Sequence, residues 1–310
     1  MPFEPEPKDR PLIGVDFGGT KIEVAALDTQ GVPILRRRRA TPTDYASALV
    51  AIRELVTEVE SQTAAVHQIG VGGPGSISPR TGLLRNSNTL YLNGRSFVRD
   101  LEQVLGKAVR YSNDANGLAL SEAVDGAAAG ARVVFAVIIG TGCGGGIAVD
   151  GQLIEGANGI GGEWGHNPLP WLQEAELRES ASCWCGQRGC LETWISGSGL
   201  QRDFLATTGA ALTGEEIMAA ARRGELAAVA AFERYLDRLA RALASVINLI
   251  DPQVIVLGGG MSNVDELYER LPKLILRHVF SDVWDSKLVR AKWGDSSGVR
   301  GAARLWQQST

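Results

Sequence analysis

The feature that most constrains the fold is a short module that occurs twice: an apolar run, a glycine-bearing turn, and a second apolar run. In the first half, residues 12–16 lead into Asp16-Phe17-Gly18-Gly19-Thr20 and residues 22–27 follow, with Glu23 inside the second run. In the second half, residues 133–139 end in Gly140-Thr141-Gly142, and residues 146–149 return toward Asp150-Gly151. β-prone runs of this length joined by glycine predict two strands around a turn, not strand–turn–helix. Around these modules the spacing predicts strands at 33–39, 67–71, 109–112 and 254–257. Helices are expected at 44–63, 115–129, 226–250, 265–280 and 298–306; the fourth of these follows Gly258-Gly259-Gly260. Strands alternating with helices give an α/β class, and a repeated module implies two similar α/β halves facing a cleft.

Composition excludes several functions. The chain has 310 residues, a formal net charge of −4 and 21% charged residues, which argues against a nucleic-acid footprint over its surface. Arg36 to Arg39 is a local exception. Alternate arginines on a strand point to opposite faces, so a solvated sheet edge is expected there. No window approaches the roughly eighteen unbroken apolar residues of a membrane span. Residues 1–10 carry no apolar signal core and read as a disordered tail. With no export signal and four cysteines, the reducing cytoplasm is the expected compartment.

Three glycine turns could cradle phosphates: Gly18-Gly19-Thr20, Gly140-Thr141-Gly142 and Gly258-Gly259-Gly260. Glycine lets a backbone approach an anion closely and exposes its amides as donors. Taken singly, each could equally be a tight hairpin. A Walker loop is absent. A GxGxxG string does occur at Gly140, Gly142 and Gly145, but the chain continues as a strand, which excludes a dinucleotide fingerprint. Asp16, ending the first strand, could orient Mg²⁺ through water, while Thr20 and Lys21 lie where nucleotide phosphates would sit. Asn113-Asp114 follows a strand and opens a helix. Position alone leaves a helix N-cap and a general base both open.

Between Glu163 and Glu192 the chain interleaves metal ligands with carboxylates. His166, Cys183, Cys185 and Cys190 supply one imidazole and three thiolates, the closed tetrahedral set that structural zinc prefers. Cys183 and Cys185 are too close for a comfortable disulfide, whereas one metal takes both. Such a metal would fix a loop, and with it the directions of Glu163 and Glu192; a zinc knuckle that only staples the loop is the plainer alternative.

Taken together, DFGGTK at 16–21, GGPG at 72–75, NDAN at 113–116, GTGCGGG at 140–146, GEWGH at 162–166, CWCGQRGC at 183–190 and GGG at 258–260 resemble the ROK family (repressors, open reading frames, kinases) of the actin-like ATPase superfamily. The resemblance runs from about residue 12 to 306 and is nearest to the bacterial fructokinase, or manno(fructo)kinase, branch. It implies an actin-like (ribonuclease H-like) fold with a structural zinc loop. Residues 11–118, completed by a C-terminal helix at about 296–308, would form a small domain, and residues 119–295 a large one with the zinc loop at 163–192. It further implies ATP- and Mg²⁺-dependent phosphorylation of a hexose at its 6-hydroxyl, most simply fructose, with mannose as a second substrate. Asp114 is then the catalytic base; Asn113, Glu163, His166 and Glu192 bind the sugar. Asp16, Gly18, Gly19, Thr20, Lys21, Gly140, Thr141, Gly142, Gly258, Gly259 and Gly260 bind the nucleotide, and His166, Cys183, Cys185 and Cys190 hold zinc. Glucokinase and N-acetyl-hexosamine kinase share the same carboxylates and stay open as alternatives. Some relatives are sugar-responsive repressors, but the first phosphate motif begins too early here for a preceding helix-turn-helix. A homodimer is the family's usual assembly.

Overall fold

The computed structural model describes residues 12–28, 30–63 and 68–308. The expected tail at 1–10 and the start of the expected strand at His67 lie outside them.

The first half is built from strands β1 (Leu12–Phe17), β2 (Lys21–Leu27), β3 (Pro33–Ala40) and β4 (Gln68–Gly73), a ribbon of β5 (Ser76–Ile77) and β6 (Leu84–Arg85), and β7 (Val109–Asn113). Helices α1 (Tyr45–Thr63) and α2 (Phe97–Leu105) accompany them, and α3 (Asp114–Val124) leads out. The second half carries β8 (Val133–Ile139), β9 (Cys143–Val149), β10 (Gln152–Leu153), β11 (Val254–Gly258) and β12 (Lys287–Arg290). Its helices are α4 (Glu174–Glu179), α5 (Glu192–Ile195), α6 (Gly197–Thr208), α7 (Gly214–Arg222), α8 (Leu226–Ile250), α9 (Asp265–Ile275) and α10 (Ser297–Arg304).

The two sheets have one topology. The first runs β3-β2-β1-β4-β7 and the second β10-β9-β8-β11-β12. In each, the hairpin and third strand are antiparallel and the last two strands are parallel to the first. The repeated module is therefore the start of each sheet. Helical crossovers return the chain to the parallel side, as parallel pairing requires. One apolar core packs α1 and α2 on the first sheet, where Phe17 meets Phe97 edge-to-face at 5.8 Å. A second core gathers α6 to α9 on the other sheet.

The C-terminal α10 crosses back to the first half, packing on β1, β4 and α3. Glycine makes that approach possible. A Cβ at Gly70 would sit 1.8 Å from the Ala302 carbonyl oxygen, and one at Gly301 would sit 1.8 Å from that of Gly117. Fully buried Glu122 of α3 accepts from the Lys292 and Trp293 amides at 3.0 and 3.1 Å and from Ser297 Oγ at 2.9 Å, joining α3 to the segment before α10.

The helix expected at 115–129 stops at Val124. The Glu122 carboxylate takes the Ala127 amide at 2.7 Å, and the chain turns there instead of continuing the helical ladder. The helix expected to reach 280 ends at Ile275. The arginine run lies on the edge strand β3. Arg36 and Arg38 converge on buried Glu23, while Arg37 and Arg39 pair with Glu58 and Glu54 of α1. This edge is charged on both faces, a barrier to stray strand pairing. Among the described residues no helix is long and apolar enough to cross a membrane.

Candidate active site

The site lies where the strands of both sheets end. At the end of β7, Asn113 takes extended backbone angles and caps α3, its Oδ1 accepting the Asn116 amide at 2.7 Å. Asp114 is thus the first helical residue and is not needed as the cap. Its carboxylate accepts the adjacent Ala115 amide at 2.8 Å, and no other side chain among the described residues reaches it. Asp114 keeps solvent access along the cleft, yet desolvation by the surrounding protein dominates and raises its pKa above the ordinary carboxylate value. Asp16, near the end of β1, is half-buried and receives no hydrogen-bond donor among the described residues. Burial first, then the charges of Asp114 and Glu23, push it from 3.8 to about 7, with Lys21 opposing. Asp16 without a donor and Asp114 with one backbone amide place two mutually repelling carboxylates at the cleft floor.

Glu163, His166 and Glu192 come together beside Asp114. Asn113 Nδ2 lies 3.5 Å from Glu163 Oε1, at the limit of a hydrogen bond, and burial raises the Glu163 pKa against the pull of His166. Glycines place these groups. The indole of Trp164 donates to the Gly144 carbonyl at 3.1 Å and packs edge-to-face on Phe135 at 5.3 Å. A Cβ at Gly145 would lie 2.7 Å from that indole, and one at Gly146 would lie 2.5 Å from the Ala115 oxygen. The β9 glycines are therefore the spacer between α3 and the 163–166 turn. Glu192, at the start of α5, accepts the Cys143 amide at 3.0 Å on Oε2 and the Trp184 indole N–H at 2.7 Å on Oε1.

His166, Cys183, Cys185 and Cys190 present ligand atoms that all lie within 4.8 Å of one another. Cys183 Sγ is 3.6 Å from His166 Nδ1, and Cys185 Sγ is 3.6 Å from Cys190 Sγ.

At the expected phosphate turns, Gly18 donates to the Lys21 carbonyl at 3.0 Å, and Thr41 brackets the turn from the Thr20 and Gly18 carbonyls. Lys21 pairs with exposed Asp295 at 3.6 Å. Gly140 donates to the Gly142 carbonyl at 3.0 Å and receives the Gly197 amide at 2.8 Å, while Thr141 is exposed between them. Gly259, at φ 79°, presses against the end of β8, where a Cβ would lie 2.5 Å from the Ile139 oxygen; Gly258 is buried beneath it and Gly260 exposed beyond. The turns after β8 and β11 thus adjoin. Sequence reasoning passed over Trp184, the Cys143 amide and Thr41. Trp184 lay inside the metal motif it was noted for, and the other two act through backbone or a common hydroxyl.

Twin sheets of identical order, bridged by α3 and α10 with a carboxylate at the α3 N-terminus, define the actin-like fold of sugar kinases. The chain belongs to the ROK family, whose pattern it matches over residues 12–309. It is 40% identical over 296 residues to an N-acetyl-D-glucosamine kinase of Vibrio cholerae serotype O1, covering 94% of this chain and 98% of that one. It is 37% identical over 297 residues to an N-acetyl-D-glucosamine kinase of Yersinia enterocolitica serotype O:8, with the same coverage. Among solved structures, a ROK hexokinase from Thermus thermophilus superposes with a TM-score of 0.84 at 29% identity, covering 94% of this chain and 96% of that one. A ROK family glucokinase from Streptomyces griseus, in complex with glucose and AMPPNP, gives 0.76 at 28%, with 95% and 98% covered. The curated relatives are kinases of N-acetyl-D-glucosamine and do not support the narrower expectation of a fructokinase. The likeness favours the N-acetyl-hexosamine alternative.

Proposed function

We propose that this protein transfers the γ-phosphoryl group of ATP to the 6-hydroxyl of N-acetyl-D-glucosamine. The observation that carries the reading is the division of labour at the α3 N-terminus. Asn113 satisfies the helix, and Asp114 stays free in the cleft beside Glu163 and Glu192. The 36–40% likeness to N-acetyl-D-glucosamine kinases supports the choice of sugar.

A hexose offers many hydroxyls and little apolar surface, so it is gripped by fixed acceptors and donors. Glu163, Glu192, His166 and Asn113 supply them. Asp114 accepts the proton of the attacking 6-hydroxyl, and its raised pKa brings its basicity nearer to working pH. In these turns Gly18 and Gly140 use their amides to close the turn, which leaves the amides of Gly19, Thr20, Thr141 and Gly142 for the phosphates, with Gly258–Gly260 toward the nucleoside. Asp16, a donor-less carboxylate raised to about 7, fits a hydrated divalent cation. When bound, Mg²⁺ supplies charge neutralisation for the nucleotide phosphates.

The thiolate–imidazole cluster fits zinc. Bonds of about 2.3 Å to sulfur and about 2.0–2.1 Å to nitrogen give tetrahedral edges of roughly 3.8 and 3.6 Å. The 3.6 Å separations here are of that size. With Nδ1 turned to the cluster, His166 keeps Nε2 for the sugar. Purified protein with ATP and Mg²⁺ should give its highest kcat/KM for N-acetyl-D-glucosamine in a panel with N-acetylmannosamine, glucose, glucosamine, mannose and fructose. A preference for fructose would overturn the substrate, and no transfer to any sugar would overturn the reaction.

A further inference from the structure

Trp184 is 57% exposed, an unusual state for an indole, and it is held in two ways. Its N–H donates to Glu192 Oε1 at 2.7 Å, and its ring stands edge-on to His166 at 5.0 Å. With the Cys143 amide on Oε2, both oxygens of Glu192 are fixed by protein donors, which sets the plane in which the remaining lone pairs can meet a ligand.

The ring also forms one wall of an open groove of about 510 Å³, the rest of which comes from the segment between Ser78 and Gly94. The opposite wall is pre-formed. Ser87 donates its amide to Asn93 Oδ1 at 2.9 Å and receives Asn93 Nδ2 on its carbonyl at 2.9 Å. Asn86 is held at φ 58°, and Arg85 is committed to the Asn158 carbonyl at 2.7 Å. Apolar Leu84, Leu90 and Trp184 share the lining with polar Asn86, Asn93 and Arg80. A mixed lining of this kind suits a small amide substituent, which carries a methyl group beside a donor and an acceptor.

We infer that Trp184 is a positioning and specificity-determining residue of the sugar site: its N–H fixes Glu192, and its ring, between His166 and the groove, walls the place that receives the 2-acetamido group. The inference rests on the reading that Glu163, His166 and Glu192 grip the sugar. Four proteins separate the two: wild type, Trp184→Phe, Trp184→Ala and Glu192→Gln, each measured with N-acetyl-D-glucosamine and glucose, with ATP KM and bound metal as controls. Trp184→Phe, which keeps a ring and loses the donor, should raise the KM of both sugars about tenfold, as loss of a hydrogen bond to a charged acceptor does. It should preserve the preference between them. Trp184→Ala should in addition cut the preference for N-acetyl-D-glucosamine by about fivefold or more, the scale of a lost apolar contact. ATP KM and metal content should not move. If both Trp184 variants match wild type while Glu192→Gln raises sugar KM, this inference fails and the sugar grip stands. If sugar affinity falls only together with metal content, Trp184 is structural and the inference fails. If Glu192→Gln leaves sugar KM unchanged, the grip itself fails.

Discussion

Asp16→Asn should stabilise the ligand-free protein while abolishing its activity, because the cleft holds a carboxylate whose charge Lys21 offsets only in part and which, on the proposed function, a bound cation would neutralise. The folded-state pKa of Asp16 is raised from 3.8 to about 7, chiefly by burial and by Asp114. A raised carboxylate contributes stability that is fully present below its unfolded value and lost as pH rises through the folded one. At about 1.36 kcal/mol per pH unit, the interval gives a ceiling of ~4 kcal/mol above pH 7. Asp16 is half-buried, and cleft water screens it, so about half of that, ~2 kcal/mol, is the expected penalty. Asparagine is near-isosteric and never ionises. At roughly 2 °C per kcal/mol for a chain of this size, the variant should melt about 4 °C above wild type at pH 8.5. The assay is thermal unfolding followed by fluorescence in magnesium-free buffer from pH 5 to 8.5. The gap between variant and wild type must widen across that range. A gap that is flat, narrows or reverses sign would refute the electrostatic reasoning.

Asp114→Asn should lower kcat by about 10²–10⁴-fold and leave sugar binding by calorimetry largely intact, since a general base acts in the transition state. In the wild type, the acid limb of kcat against pH should lie above the ordinary carboxylate value, because turnover needs Asp114 unprotonated and its pKa is raised; an acid limb at 3.8 or below would contradict this. Cys185→Ser should lose the equivalent of metal seen by plasma mass spectrometry and weaken sugar binding, with nucleotide binding kept; retained metal and affinity would exclude the staple. Gly301→Ala places a methyl 1.8 Å from the Gly117 oxygen and should cost about 3 kcal/mol or prevent folding, read by urea denaturation.

Much of the frame was legible because local signals agreed with tertiary ones. The hairpins at Gly18–Gly19 and Gly140–Gly142 pair apolar runs with a residue that only a tight turn needs. The amphipathic spacing of α8 gave its ends at Leu226 and Ile250. Legibility failed where tertiary contacts override the chain's own pattern. The edge strand β12 is short and half-exposed and left no alternation to read, whereas α6 and α7 open on glycine and were passed over despite the Ser196 cap and the Thr213–Glu216 capping box that begin them. Asp114's freedom from capping was also hidden. It depends on Asn113 rather than Asp114 taking extended backbone angles, and either sequence position could have done so. The glycines of β9 carried a signal that had no role assigned beyond a rejected GxGxxG string, whereas Gly145 and Gly146 are spacers against Trp164 and Ala115.

If Asp114 faces the 6-hydroxyl, the phosphoryl group lands there. Phosphorus NMR of the product from ATP and N-acetyl-D-glucosamine should show a single ester at the 6-oxygen, and the 6-deoxy sugar should bind competitively without consuming ATP beyond background. An ester at another hydroxyl, or phosphoryl transfer to the 6-deoxy sugar, would mean that Asp114 does not face the nucleophile assigned to it.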